Sequence, residues 1–292
     1  MTKPAILSLG EVLWDVFADG ERFGGAPANF ACHAAILGAD VAIVSAVGDD
    51  RRGREALAIL HGFGIDISHI SIVPESPTGT VTVAVNETGK PTYTIHEGVA
   101  WDCIAWNDAL EAKVKQADAV CFGTLGQRSE LSRNTIRKCI EIARDAGIPR
   151  LVDINLRPPF SDAACIRESI ALASILKLSD EELGEVCAAC GIDNGASEVA
   201  RLRQLRESQN LNSIVMTCGA NGAVLVTPNE IVHQPGIAVA VVDTVGAGDS
   251  FTASFLLGLL CGVPHDVNLR NACEIAAAVC AHSGAVPSHH NR

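Results

Sequence analysis

The sequence predicts an α/β domain: a doubly wound, mostly parallel sheet flanked by helices, with a small β lid. Three observations predict it. Short apolar runs such as residues 6–9, 119–122 and 214–217 read as strands buried on both faces. Longer stretches of helical period alternate with them, the pattern of βα units. Residues 79–95 instead alternate polar and apolar, as a sheet with one wet face does. No internal repeat and no Pro/Gly linker divides the chain. One domain is therefore expected over 1–292, with a lid formed by about 12–24 and 77–99 inserted in it.

In chain order, residues 6–10 form a short apolar strand, and 12–17 continue extended with Asp15 between apolar neighbours. Residues 23–29 read as a turn into a small-residue helix over 30–37, closed by Gly38. A buried strand over 41–47 precedes a helix over 54–63. Residues 80–83 and 92–95 make a hairpin around a turn at 86–90. Strands over 119–122, 151–154, 174–178 and 214–217 then alternate with helices near 130–146, 162–172, 180–190 and 196–208. Residues 223–226 and 231–233 form a second hairpin. A helix begins near Gly248, and an alanine-rich one covers 268–282. Ligands of such folds sit at the carboxyl ends of the strands.

Composition narrows the partners. A net charge of −12 disfavours nucleic acid and anionic membrane. No stretch approaches the ~18 uninterrupted apolar residues of a membrane span, and the start lacks the apolar run of a signal peptide. The eleven cysteines sit mostly in apolar runs, as buried thiols of a reducing compartment do; a cytoplasmic location is expected. Cys187 and Cys190 have C-x-x-C spacing without the further ligands zinc needs.

The most informative stretch is Asp243-Thr244-Val245-Gly246-Ala247-Gly248-Asp249. A Gly-Ala-Gly turn at a helix start points backbone N–H groups at one spot, where the helix dipole adds positive charge. An aspartate there repels phosphate but is well placed to take a proton from a hydroxyl attacking phosphorus. Taken alone, the stretch reads equally well as a packing loop.

A second stretch decides between these readings: Gly24-Gly25-Ala26-Pro27-Ala28-Asn29-Phe30-Ala31, followed by Gly38 and Gly48. In this order on one α/β chain, the two stretches resemble the ribokinase-like (PfkB) carbohydrate kinases over nearly the whole length. The Gly-Gly-x-Pro-x-Asn form and Ala100-Trp101-Asp102 are most similar to the fructokinase branch. Ala253 and Ser254 depart from it, standing where glycines are more usual, in positions that pack the helix.

The resemblance implies a role for each matching residue. Asp249 matches the catalytic base, and Gly246, Ala247 and Gly248 the backbone anion hole for the transferring phosphoryl group. Asp15, Gly25, Ala26 and Asn29 match the sugar-binding positions; without the family, Asp15 reads as a turn residue and Asn29 as a helix N-cap. Arg157, in Asp153-Ile154-Asn155-Leu156-Arg157, matches a phosphate clamp, against a plain surface ion pair. Lys177, Thr217, Gly219, Gly222 and Asn271 match nucleotide-side positions, with His282 packing beside the purine. Glu182 matches the acid that organises magnesium-bound water, although Ser179 replaces the usual asparagine. Asp243 and Val245 match a monovalent-cation site. The expected activity is ATP-dependent phosphorylation of a sugar hydroxyl, most similar to that of fructokinases, with Mg2+ and possible use of K+. Another sugar, a sugar acid such as 2-keto-3-deoxygluconate, or a nucleoside are the alternative substrates, and a catalytically silent sugar sensor the alternative of another class. A homodimer through the β lid is also implied. His289 and His290 read as a loose tail.

Overall fold

The structure, a computed structural model, describes residues 3–85, 91–193 and 195–287. The expected turn at 86–90 and the expected tail at His289 and His290 lie outside the described residues. The first half of the chain contributes β1 (Ala5–Leu9), β2 (Leu13–Phe17), β3 (Gly20–Gly24), α1 (Ala26–Ile36), β4 (Asp40–Gly48), α2 (Arg51–Gly62), β5 (Ile70–Val73), β6 (Gly79–Val85), β7 (Pro91–Ile95) and α3 (Ala109–Lys115). The βα alternation follows with β8 (Ala119–Gly123), α4 (Glu130–Asp145), β9 (Arg150–Asp153), α5 (Ala163–Leu172), β10 (Ile175–Ser179), α6 (Asp180–Ala189), α7 (Glu198–Ser208) and β11 (Ser213–Thr217). The hairpin β12 (Ala223–Val226) and β13 (Ile231–Gln234) and the helices α8 (Ala247–Leu260) and α9 (His265–Cys280) complete it.

The large sheet runs β13-β12-β11-β10-β9-β8-β1-β4-β5. Strands β5, β4, β1, β8, β9, β10 and β11 are mutually parallel; only the β12–β13 hairpin is antiparallel. The chain lays β4 on one side of β1 and β8 on the other. The strand order thus reverses around β1, and the crevice beyond its carboxyl end is where such sheets bind ligands.

Period-2 alternation along each strand divides the core into two layers. Leu7, Leu9, Val44, Val120, Phe122, Leu176 and Leu178 face α3 to α7. Ile6, Val41, Ile43, Ala119, Cys121 and Ile175 face α1, α2, α8 and α9. Each fully buried Ile, Leu or Phe contributes roughly 1.5–3 kcal/mol, so the two layers carry most of the drive to fold. Ala253 is fully buried and Ser254 nearly so within the second layer, where their small size lets α8 approach the sheet.

A second sheet stands beyond the same edge, ordered β3-β2-β6-β7. Its small core is Leu13, Val81 and Val83, with Phe17 and Ile95 against them; Thr82 and Ala84 face solvent. The segments expected to form the lid, 12–24 and 77–99, thus make one four-stranded sheet, with β3 added to the three extended segments expected. Residues 20–24, expected to lead straight into a turn, pair as β3 with β2, Phe23 opposite Trp14. The rings of these two residues meet edge to face at 5.9 Å. Strand β5 and helix α3 also stand where no element was expected.

Helix α1 corrects another expectation. It begins at Ala26, not at 30, because Gly25 turns the chain at φ 104° and Pro27 in the first turn fixes a helical φ. Asn29 consequently lies inside the first turn and is not the N-cap.

Candidate active site

Helix α8 opens on Gly246, in the left-handed region at φ 80°. A Cβ there would stand 2.5 Å from the Ala285 carbonyl oxygen, so only glycine fits. The next turn holds the N–H groups expected to make an anion hole. One of the three is occupied: Ala247 N–H donates to Thr244 O at 3.3 Å, closing the turn that starts the helix. Gly248 and Asp249, one residue further in, have no protein acceptor among the described residues, as first-turn helix donors do not. Free amides thus flank the occupied one at the start of α8.

Asp249 is held from α1. Asn29 Nδ2 donates to its Oδ2 at 2.8 Å, while Asn29 Oδ1 is buried without a partner. The carboxylate fixes the orientation of the amide, since only the NH2 side can donate to it. Burial raises the pKa of Asp249; the Asn29 bond, Lys177 and Arg157 oppose the rise. A carboxyl so placed is a stronger base than an exposed aspartate.

Lys177 lies behind this turn rather than in the open. It is 6% exposed, and its Nζ sits 3.0 Å from Asp153 Oδ1, its partner across β10 and β9. A Cβ on Gly248 would come 3.4 Å from that ammonium. The Thr252 hydroxyl lies 3.0 Å from Asp153 Oδ2 and 2.8 Å from Gly248 O, tying the pair to α8. Burial opposes charge on Lys177, but the carboxylates of Asp153, Glu182 and Asp249 hold its pKa up. A positive charge therefore stands under the free amides.

Arg157 is exposed at the end of the segment after β9. Its Nη1 donates to Leu156 O at 2.9 Å, and no ion pair holds it among the described residues. The plain ion-pair reading fails. Its charge acts on three carboxyls, lowering the pKa of Glu11, Asp15 and Asp249. Asp15, on β2, lies partly buried. Burial raises its pKa to about 6 against the pull of Arg157 and Arg22, with Asp249 adding to the rise. Asp15 and Asp249 are thus within each other's field.

Glu182 accepts from Leu156 N–H at 2.7 Å through Oε1, and from Ser179 N–H at 2.7 Å through Oε2. It forms the capping box of α6 with Ser179. Each carboxylate oxygen retains a lone pair, but no cluster among the described residues makes a protein cage for a metal. Such a donor set fits Mg2+ carried on nucleotide phosphates and its own waters, not a dedicated cage. Asp243 likewise gives one oxygen to Val245 N–H at 3.1 Å and the other to Gly284 N–H at 2.9 Å, clasping the two loops beside Gly246. His33 adds to that contact, its Nε2 2.8 Å from Ala285 O. Val245 itself is exposed.

The nucleotide-side positions spread along the same edge. Thr217 ends β11, and Gly219 opens the turn after it. Gly222 packs so tightly on the Gln234 carbonyl that no side chain fits. Asn271 is exposed on α9, and exposed His282 places Nδ1 2.9 Å from Ala278 O. Gly25 and Ala26 sit at the start of α1, facing the end of β1. Cys187 and Cys190 are free thiols, as are the other cysteines.

Two residues escaped the reading of the sequence. Thr252 is one turn beyond Asp249 on α8, and its signal was that i+3 spacing. Glu11 is fully enclosed at the end of β1 with burial raising its pKa to about 7; its signal was an acid directly after a strand-ending glycine.

Residues 4–292 match the model of the pfkB family of carbohydrate kinases. The chain is 31% identical over 271 residues to the fructokinase of Klebsiella pneumoniae, covering 89% of this chain and 86% of that protein. It is 29% identical over 243 residues to the aminoimidazole riboside kinase of Salmonella typhimurium, covering 81% and 73%. The crystal structure of fructokinase with bound ATP from Xylella fastidiosa has the same fold, with TM-score 0.87 at 23% identity, covering 98% and 96%. No helix among the described residues is long and apolar enough to cross a membrane. The chain belongs to the PfkB family of carbohydrate kinases and is a sugar phosphotransferase.

Proposed function

We propose that this kinase transfers the γ-phosphoryl group of ATP to a hydroxyl of fructose, with Asp249 as the base. The observation that carries the reading is the 2.8 Å bond from Asn29 to Asp249, which puts a sugar-side helix and a phosphate-side helix on one carboxyl group. Fructokinases recur among the curated relatives, including that of Klebsiella pneumoniae at 31% identity. ATP as donor is supported by the Xylella fastidiosa fructokinase, which binds it in the same fold.

The chemistry follows from the residues. Phosphoryl transfer needs positioning and charge neutralisation more than covalent assistance. Asp15 and the unpartnered Asn29 Oδ1 accept hydrogen bonds from sugar hydroxyls. Asp249 keeps Oδ2 on Asn29 and uses Oδ1 for the reacting hydroxyl. As that oxygen attacks phosphorus in line, its proton passes to Asp249. The Gly248 and Asp249 amides meet the equatorial oxygens, each good donor contributing on the order of 3–4 kcal/mol. Lys177 beneath them and Arg157 across from them oppose the developing charge. Mg2+, brought on the phosphates with Glu182 the acid at that end, would screen the repulsion between oxygens. Asp243, each oxygen of which accepts one N–H and retains a lone pair, would with Val245 hold a monovalent cation behind the turn.

A coupled assay of ADP release tests the reading, run over fructose, other hexoses, 2-keto-3-deoxygluconate and a riboside. Fructose should give the highest kcat/KM. A riboside preferred over every hexose would move the chain to the activity named for its Salmonella relative. No turnover of any compound, with sugar binding retained, would leave the sensor reading.

A further inference from the structure

Glu11 stands beside Asp249 and has no part in the steps above. It follows β1 at the edge where the chain turns toward β2, and it is 3% exposed. Its Oε2 is buried without a hydrogen-bond partner. Glu11 and Asp249 line one cavity of about 20 Å3, together with Ser8, Thr124, Asn155 and Thr252. That is room for one water with polar partners on several sides.

Buried carboxyl oxygens are ordinarily satisfied, and an orphaned one marks a group kept for another purpose. The charged groups around Glu11 are few. Asp249 faces it from α8 and Arg157 from the segment after β9. Asp153, which also lines the cavity, is neutralised by Lys177. Cys121, lining it from β8, is a neutral thiol, its pKa pushed well up by burial. Burial raises the Glu11 pKa to about 7; its own backbone, Arg157 and the Ala26 amide oppose this, and Asp249 adds to it. Glu11 therefore changes charge near neutrality.

We propose that Glu11 is a positioning residue that receives, through a water in the shared cavity, the proton Asp249 takes from the sugar hydroxyl. The inference rests on Asp249 being the base. In the transfer step the hydroxyl O–H bond breaks, its proton moves to Asp249, and the O–P bond forms as the γ-phosphoryl group leaves ADP. Asp249 then gives a proton to the cavity water while that water gives one to the Glu11 carboxylate. Asp249 is ionised again with product still bound, so no protonated base is left to reverse the transfer. Glu11 returns the proton to solvent when the site opens.

Glu11→Gln keeps the shape and cannot accept a proton. Single-turnover and steady-state rates are measured from about pH 5.5 to 9, a span that brackets ordinary carboxyl and histidine titration. Wild type should show an ionisation near pH 7. Glu11→Gln should lose it, with steady-state kcat down about tenfold and the sugar KM unchanged, while Glu11→Asp should retain it. An ionisation near pH 7 left unchanged in Glu11→Gln, as distinct from the acid limb that Asn29→Ala moves, overturns the proposal. So does a rate lowered by the same factor at every pH, as a packing defect would give. If Glu11→Gln does not fold, wild-type protein carrying 13C-labelled glutamate carboxyls decides: one resonance should titrate near pH 7, and the lack of one overturns the proposal. Asp249→Asn separates the two ideas. If it turns over like wild type, the base reading falls; if it is inert while Glu11→Gln behaves as wild type, only the relay falls.

Discussion

Asn29 and Asp249, 220 residues apart, are joined by a single 2.8 Å hydrogen bond in which the amide donates to the carboxylate. The bond lowers the pKa of Asp249 against the burial that raises it. As the proposed base, Asp249 must be ionised to work, so on that reading activity is lost as pH falls through its pKa. Removing the amide removes a restraint on that pKa. Asn29→Ala should therefore move the acid limb of the kcat profile to higher pH. A hydrogen bond to a charged group contributes about 1.5–3 kcal/mol, so kcat below neutrality should drop by about tenfold or more. An acid limb that stays in place would show that the bond only positions.

Asp249→Asn keeps the size of the side chain and loses the proton acceptor. General-base removal typically lowers the rate about 100- to 10,000-fold. Calorimetric binding of the sugar should change little, because its other hydrogen-bonding groups remain. A variant with wild-type kcat would exclude Asp249 as the base.

Gly246 and Gly248 are two positions apart and should respond to substitution to different degrees. Gly246→Ala forces a methyl against the Ala285 carbonyl at a left-handed φ, at a cost on the order of 1–3 kcal/mol. Gly248→Ala adds a methyl inside a helix with Lys177 Nζ 3.4 Å away, and should leave stability within about 1 kcal/mol. Urea melts of the two variants make the comparison. Equal destabilisation would mean that the left-handed cap is not the strained feature.

Lys177→Met should be among the costliest substitutions in the molecule. It leaves the buried Asp153 carboxylate without its cation, and breaking a buried pair from one side costs about 3–5 kcal/mol. The double change Lys177→Met with Asp153→Leu should recover much of that stability yet not the activity, since the charge under Gly248 stays absent. Denaturant unfolding beside the ADP assay reads both. A single variant of wild-type stability would mean that Lys177 and Asp153 stand un-ionised in the folded protein.

Much of this was legible in the residues. The parallel sheet followed from apolar runs at 119–122 and 214–217, and both are strands. The Gly-Ala-Gly turn predicted the start of α8 because backbone geometry is written in glycine. What escaped depended on distant partners. Asn29 reads as a cap from its neighbours alone; only Asp249, brought across from α8, reveals what it holds. Glu11 has no local pattern, since its meaning lies in burial by elements from four parts of the chain. Strand β3 was missed because its partner β2 supplies the pairing that four polar or small residues out of five do not advertise.

The lid carries a consequence for anyone rebuilding this protein. Strands β2 and β6 come from separate stretches of chain and run side by side in parallel, Leu13 opposite Gly79 through Val16 opposite Thr82. The two hairpins are therefore one stiff plate threaded through two slots in the chain. A foreign plate cannot be spliced in as a single cassette. Both pieces must be exchanged together and in matching register, because a one-residue slip would turn Val81 and Val83 out to water and leave Leu13 with nothing to cover. The plate is thus an inherited pair of segments, and libraries that vary only one of them will mostly sample broken plates.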